Sequence, residues 1–127
     1  MYEGYITDVK GIKVGHAEDI KGGTGVTVII PPSGNSCAVE VRGSAPGTRE
    51  TDLLNPVNTV ESVNAIILSG GSAYGLNASS GVMQALEEDG LGLDVGVGIV
   101  PIVPQAVLFD LAYKDYLSLI HISEPTR

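Results

Sequence analysis

Apolar and polar positions divide this chain into short runs. Gly25-Val26-Thr27-Val28-Ile29-Ile30 is dominated by β-branched residues and predicts a strand. Ala65-Ile66-Ile67-Leu68 is a second apolar run and predicts a buried one. Ile12-Lys13-Val14, between Gly11 and Gly15, predicts a short strand, followed by His16-Ala17-Glu18-Asp19 and a Lys21-Gly22-Gly23 turn. Ala38–Arg42 alternates, with Val39 and Val41 on one face and Glu40 and Arg42 on the other. A Pro31–Asn35 turn separates it from the Gly25–Ile30 strand, so an antiparallel hairpin of the two is the simplest topology. Leu91–Val103 is rich in Val, Ile and Gly and predicts a strand ending at Pro101 or Pro104. Ala106–Ala112 fits strand or helix, with extended structure favoured for its first half.

The helical period runs from about Ala73 to Asp89. Leu76, Ala78, Val82, Met83, Ala85 and Leu86 make one apolar side, and Gln84, Glu87 and Glu88 fall elsewhere. Gly90 supplies a C-cap. Gly81 costs about 1 kcal/mol relative to alanine, and with Ala78, Ser79 and Ser80 it forms a small-residue surface suited to close packing. Asn55-Pro56 and Asn58-Thr59 are turn and N-cap signals for a short helix at Val57–Ser62. Gly43–Asp52 has no apolar period. It is a polar loop carrying Arg49, Glu50 and Asp52, either a solvated connection or the lining of a site.

These elements converge on one stretch. The Ala65–Leu68 strand, the Ser69-Gly70-Gly71-Ser72 turn and the following helix form a strand–glycine turn–helix unit with polar groups at its apex. Backbone N–H groups at a helix start lack intrahelical partners, so such an apex can hold a ligand.

Composition narrows the classes. With 127 residues the chain is long enough for one small domain with a core. An apolar fraction of 43% against 17% charged excludes a disordered chain. The net charge of −8 argues against nucleic-acid and anionic-membrane partners, which require basic patches. Seventeen glycines without a fixed period suggest short strands with tight connections. Cys37 is the one cysteine, so no disulfide forms within the chain and no cysteine cluster holds a metal. It reads as a small, half-buried residue beside a strand. His16 with Glu18 and Asp19 lacks a second His–carboxylate set, so no metal is expected, and His16 reads as a loop histidine bonded to backbone. No signal-peptide pattern and no apolar run of membrane-spanning length are seen, so a cytoplasmic setting is expected.

Three chemistries compete at the apex. Gly70–Gly75 fits G-x-x-x-x-G, but Leu76-Asn77 follow where a phosphate loop needs Lys-Ser/Thr. Gly70-Gly71-Ser72-Ala73-Tyr74 approaches the G-x-S-x-G elbow of a serine esterase using Ser72, but Tyr74 replaces the last glycine and the one histidine that follows is His121. Tyr74 itself is either an aromatic packed on the sheet or a phenol O–H at a helix start, able to hold a developing oxyanion.

The motifs VGHAED, GTGVTVI, VRGSAPGTRETDLLNP, ILSGGSAYGLNASSGVMQALEE and VGVGIVPIVPQAVLFDLA, in this order over about Asp8 to Asp115, resemble the L-aminopeptidase/D-esterase family, which includes β-peptidyl aminopeptidases and nylon-oligomer hydrolase. The SGGSAYGL apex is nearer the nylon-oligomer side. The resemblance implies an α+β fold, here a partial, truncated α/β/β/α sandwich of the N-terminal-nucleophile type. It implies a precursor that cuts itself before a Ser or Thr, which then attacks amide or ester substrates through an acyl-enzyme. Tyr74 takes the oxyanion role, and Gly70, Gly71 and Ser72 form a substrate-binding wall. The family's nucleophile, oxyanion asparagine, lysine and acidic partners match nothing in this chain, and Ser69, Ser72, Ser79 and Ser80 fall at positions that are not the nucleophile. Small peptide, amide or ester substrates, no cofactor and a homo-oligomeric full-length parent are what the resemblance implies. A stand-alone binding module is the competing class.

Leu117–Arg127, LSLIHISEPTR, matches the conceptual translation of a transposon adapter used in preparing sequencing libraries. Residues 1–116 are therefore read as the N-terminal part of an incomplete hydrolase domain, inactive by itself, and 117–127 as an artefact tail.

Overall fold

The β-branched run forms β2 (Thr24–Ile30), as its composition predicts. In the computed structural model, which describes residues 3–113, β2 is flanked on both edges. On one side lies β1 (Lys13–Asp19), antiparallel from Lys13↔Ile30 to Asp19↔Thr24. On the other lies β4 (Ile66–Ser69), also antiparallel, with Val28 opposite Ile67. β4 pairs in parallel with β7 (Gln105–Val107), and β7 pairs antiparallel with the two-residue β3 (Thr48–Arg49). The sheet order is β1-β2-β4-β7-β3. A mixed sheet with packed helices makes the fold α+β.

Two helices follow β4: the single turn α1 (Ser72–Gly75) and α2 (Ala78–Glu88). α2 covers one face of the sheet. Its Leu86 joins Ala65, Ile67 and Val103 in the buried cluster, with Val26, Val28, Ile30, Val82 and Met83 packed around it. The C-cap at Gly90 is as expected. Gly90 N–H donates to Glu87 O at 2.9 Å and Leu91 N–H to Leu86 O at 2.8 Å, with Gly90 at φ 74°. This double bond is a Schellman closure that needs a left-handed residue.

Several expectations change, each for a local reason. The first strand runs on through His16, Ala17, Glu18 and Asp19, because the free edge of β2 satisfies their backbone whatever their side chains are. His16 therefore sits on a strand, and its Nδ1 lies 2.8 Å from Thr27 Oγ1. The hairpin partner of β2 is β1, closed by Asp19, which accepts Gly22 N–H on Oδ1 at 2.9 Å and Gly23 N–H on its carbonyl at 2.7 Å. Ala38–Arg42 consequently has no edge of β2 to join and forms no strand. No helix forms at Val57–Ser62. Asparagine side chains hold that region in turns: Asn55 Oδ1 accepts Val57 N–H at 3.2 Å, and Asn58 Nδ2 donates to Asp52 O at 2.7 Å.

The single helix predicted over Ala73–Asp89 breaks at Leu76-Asn77. There the N–H groups of Leu76 and Asn77 reach back three residues, to Ala73 O and Tyr74 O, both at 3.2 Å. Ala85 lies exposed, off the apolar side assigned to it. Leu91–Val103 folds into a two-stranded hairpin, β5 (Leu93–Asp94) with β6 (Ile99–Val100). Asp94 Oδ1 accepts Gly96 N–H at 2.8 Å, and Gly96 takes φ 90°. The artefact reading of 117–127 falls outside the described residues.

Candidate functional site

The apex is a left-handed pair. Gly71 has φ 85° and Ser72, unusually for a residue with a side chain, φ 51°. Together they swing the chain from β4 into α1. Three N–H groups of the turn are already bonded. Gly70 N–H donates to Gly25 O at 3.1 Å, Gly71 N–H to Asp110 Oδ1 at 2.7 Å and Ser72 N–H to Leu108 O at 2.9 Å. The turn is therefore a latch onto β2 and the segment after β7. A side chain at Gly70 would meet the Asp110 carboxylate and the Thr24 hydroxyl, so it fits only if those side chains move, and moving Asp110 disturbs its bond to Gly71.

Beneath the turn lies a buried polar knot. Gln105, 1% exposed, donates from Nε2 to Ser69 Oγ and to Gly75 O, both at 2.7 Å. Ser69 Oγ also reaches Gly75 O, at 3.3 Å. These bonds fix α1 to β4 and β7 at the level of its last carbonyl. The residue before that carbonyl is Tyr74.

Tyr74 is 54% exposed, so it does not pack into the sheet. It borders a cleft of about 430 Å³ with Arg49, Ala73, Leu76 and Asn77. Arg49 enters from β3. Its guanidinium Nη1 donates to Ser79 Oγ, and Nη2 lies 3.7 Å from Met83 Sδ. The polar loop thus lines the same cleft as Tyr74, the second of the two roles open to it in the sequence.

The predicted site residues part company here. Gly70 faces a different cavity, of about 680 Å³, with Glu18, Thr24, Thr27, Leu68 and Asp110 among its walls. Gly71 and Ser72 border neither space. The larger cavity is the less favourable place for acyl chemistry, because the turn meets it with a glycine whose N–H is already used. The Ser72 esterase reading lacks a histidine base among the described residues: His16, the imidazole they contain, stands on β1 and is engaged with Thr27 on β2. Asp110 and Gln105 are what sequence reasoning missed. Both lie within the VGVGIVPIVPQAVLFDLA stretch, but their partners, Ser69, Gly75 and Gly71, are far away in sequence and are reached only across the β4–β7 pairing.

Cys37 is half-buried, as expected, in an apolar pocket with Val39, Val41, Ile66, Leu68 and Ala106. Burial pushes its thiol pKa up, against an opposing hydrogen bond from the Ala38 backbone. Among the described residues no group of three His, Cys, Asp or Glu is placed to hold a metal ion, and no helix is long and apolar enough to cross a membrane.

Peptidase family S58 matches the chain over residues 4–123. An uncharacterized aminopeptidase of Mycobacterium tuberculosis is 56% identical over 114 residues, which cover 84% of this chain and 33% of the relative. A counterpart from Mycobacterium leprae is 52% identical over 119 residues, covering 87% and 33%. A 6-aminohexanoate-oligomer endohydrolase of Kocuria sp. is 38% identical over 108 residues, covering 85% and 28%. The chain spans about a third of the length of the curated relatives it matches.

Proposed function

This chain belongs to peptidase family S58, a family of hydrolases, and from that premise we propose that it carries the oxyanion side of an amide- or ester-hydrolysing site. Tyr74 donates its phenol O–H to the carbonyl oxygen as negative charge builds there. The attacking residue is a Ser or Thr, freed by self-cleavage, in sequence beyond this chain. Within this chain, Ser69 and Ser79 are committed to the polar knot and to Arg49, which leaves them structural.

The observation that carries the reading is the setting of Tyr74. It stands on a one-turn helix that Gln105 and Asp110 fasten to the sheet at both ends, yet its ring remains half exposed beside a small cleft. A rigidly mounted, solvent-accessible phenol suits oxyanion stabilisation. The five-stranded sheet and α2 form one α/β half of an α/β/β/α sandwich on this reading, with Leu68 on the face turned toward a second sheet. Alone, this polypeptide is inactive. Its complete protein acts on N-terminal residues or short amide and ester substrates, as a cytoplasmic homo-oligomer.

The test uses the complete coding sequence. A gel shows self-cleavage into two pieces, and short amides are hydrolysed. Tyr74→Phe lowers kcat by about 10²–10³, the usual cost of one oxyanion donor, with a smaller change in KM. An intact single chain with no acyl-enzyme by mass spectrometry defeats the proposal, as does an unchanged kcat in the Phe variant.

A further inference from the structure

Among the described residues, the polar loop places a cation in the Tyr74 cleft without an anion to match it. Arg49 bonds Ser79 Oγ and approaches Met83 Sδ, both neutral. Ser79 Oγ donates its own proton to Leu76 O at 2.9 Å, so a lone pair faces the guanidinium and fixes its orientation. Among the described residues no carboxylate lies within ion-pair reach of Arg49, although the chain holds fifteen acids. Glu50 and Asp52, its neighbours in sequence, are exposed. The left-handed backbone at Glu50, φ 60°, turns the chain immediately after the arginine.

A guanidinium has five N–H donors in a planar fork, and the two contacts above occupy two of them. Partial burial removes solvation from the charge, and neutral acceptors do not restore it. Among the described residues nothing supplies the opposite charge that would. The space beside it has Ala73 and Leu76 on its walls and Tyr74 at its border.

We propose that Arg49 determines specificity in this cleft by receiving a carboxylate from the substrate. This rests on the reading of Tyr74 given above. The carboxylate accepts two N–H bonds in the plane of the fork, a geometry lysine cannot reproduce. Ala73 and Leu76 flank an aliphatic stretch, and the carbonyl to be cleaved lies toward the Tyr74 phenol. The substrate class is a short aliphatic amide ending in a free acid. A carboxylate from elsewhere in the complete protein is the same chemistry from another source, and the test separates the two.

The probes are the linear dimer of 6-aminohexanoate and its terminal carboxamide. Binding is measured by calorimetry on the complete protein in a Tyr74→Phe background, with Arg49 retained or changed to Gln or Lys. With Arg49 in place, the acid binds at least about tenfold more tightly than the carboxamide. The preference drops below about threefold in Arg49→Gln and is intermediate in Arg49→Lys. Equal binding of the two probes with Arg49 present, or binding of neither, overturns the inference. An unchanged preference in Arg49→Gln also overturns it, and a lowered melting point in that variant then assigns Arg49 to a carboxylate of the protein. If the acid is preferred through Arg49 but the unmutated protein hydrolyses no amide or ester, the hydrolase reading fails and carboxylate recognition stands.

Discussion

On β4, Ile67 is fully buried while the next residue, Leu68, is 48% exposed, and the same division crosses the sheet. Register puts Val28, Ile67 and Gln105 on one face and Thr27, Leu68 and Ala106 on the other. The first face is closed by α2 and contains both the apolar cluster and the polar knot under α1. Among the described residues, the second carries the 37–42 segment over one corner and borders the larger cavity elsewhere. Gln105, which holds the last carbonyl of α1, is anchored on the closed face. Precision there comes from dry packing, which makes each polar bond costly to lose.

The contrast can be broken at β4 itself. Ile67→Ala in this chain is expected to cost about 2–5 kcal/mol, because it opens a cavity against Leu86 and Val103. Leu68→Ala is expected to stay within about 1 kcal/mol, since much of that side chain already meets water. Urea unfolding of the two variants measures the difference, and equal losses would show that something covers the second face.

A smaller effect sharpens the polar side of the comparison. Gln105→Ala leaves Ser69 Oγ and Gly75 O with only their mutual 3.3 Å bond in a dry interior, at about 1–3 kcal/mol. Hydrogen exchange around α1 should accelerate with it. Slow exchange retained at Gly75 would show that Gln105 does not hold the helix.

The smallest effect lies at the open face, at Cys37. Its folded pKa is raised, so the folded state disfavours the thiolate. The associated stability is complete below the ordinary thiol pKa and declines as pH climbs past it toward the folded value. Timed iodoacetamide labelling should be slower than for a cysteine in an unfolded peptide at the same pH, and should accelerate above the ordinary thiol range. Peptide-like rates at pH 8 would contradict the burial.

Legibility in the sequence followed how local the deciding interaction was. β2, β4, the helical face around Val82 and Leu86, and the Gly90 stop were readable because composition and period act within a few residues. Val39 and Val41 alternate properly, but a strand also needs a free edge, and β1 and β4 hold both edges of β2. His16–Asp19 failed in the opposite sense: polar side chains concealed a ladder that only the backbone makes. Tyr74 was readable as a candidate from its place after the glycine turn. The bonds that hold Gly71 and Ser72 N–H are not legible there, because their partners, Asp110 and Leu108, lie far along the chain. Arg49 was visible as a loop cation, while its meeting with Ser79 depended on β3 joining β7.

The latch between Gly71 and Asp110 also sets an order of events during synthesis. β4 and the residues of α2 leave the ribosome well before β7 and Asp110 do. Parallel pairing over that separation is slow, because loop closure must come before the contacts that reward it. Until it happens, Gly71 and Ser72 have no restraint favouring their left-handed conformations, and Tyr74 has no fixed bearing. The geometry of the cleft is therefore among the last features of this segment to form, whereas the β1–β2 hairpin can assemble early from neighbours in sequence.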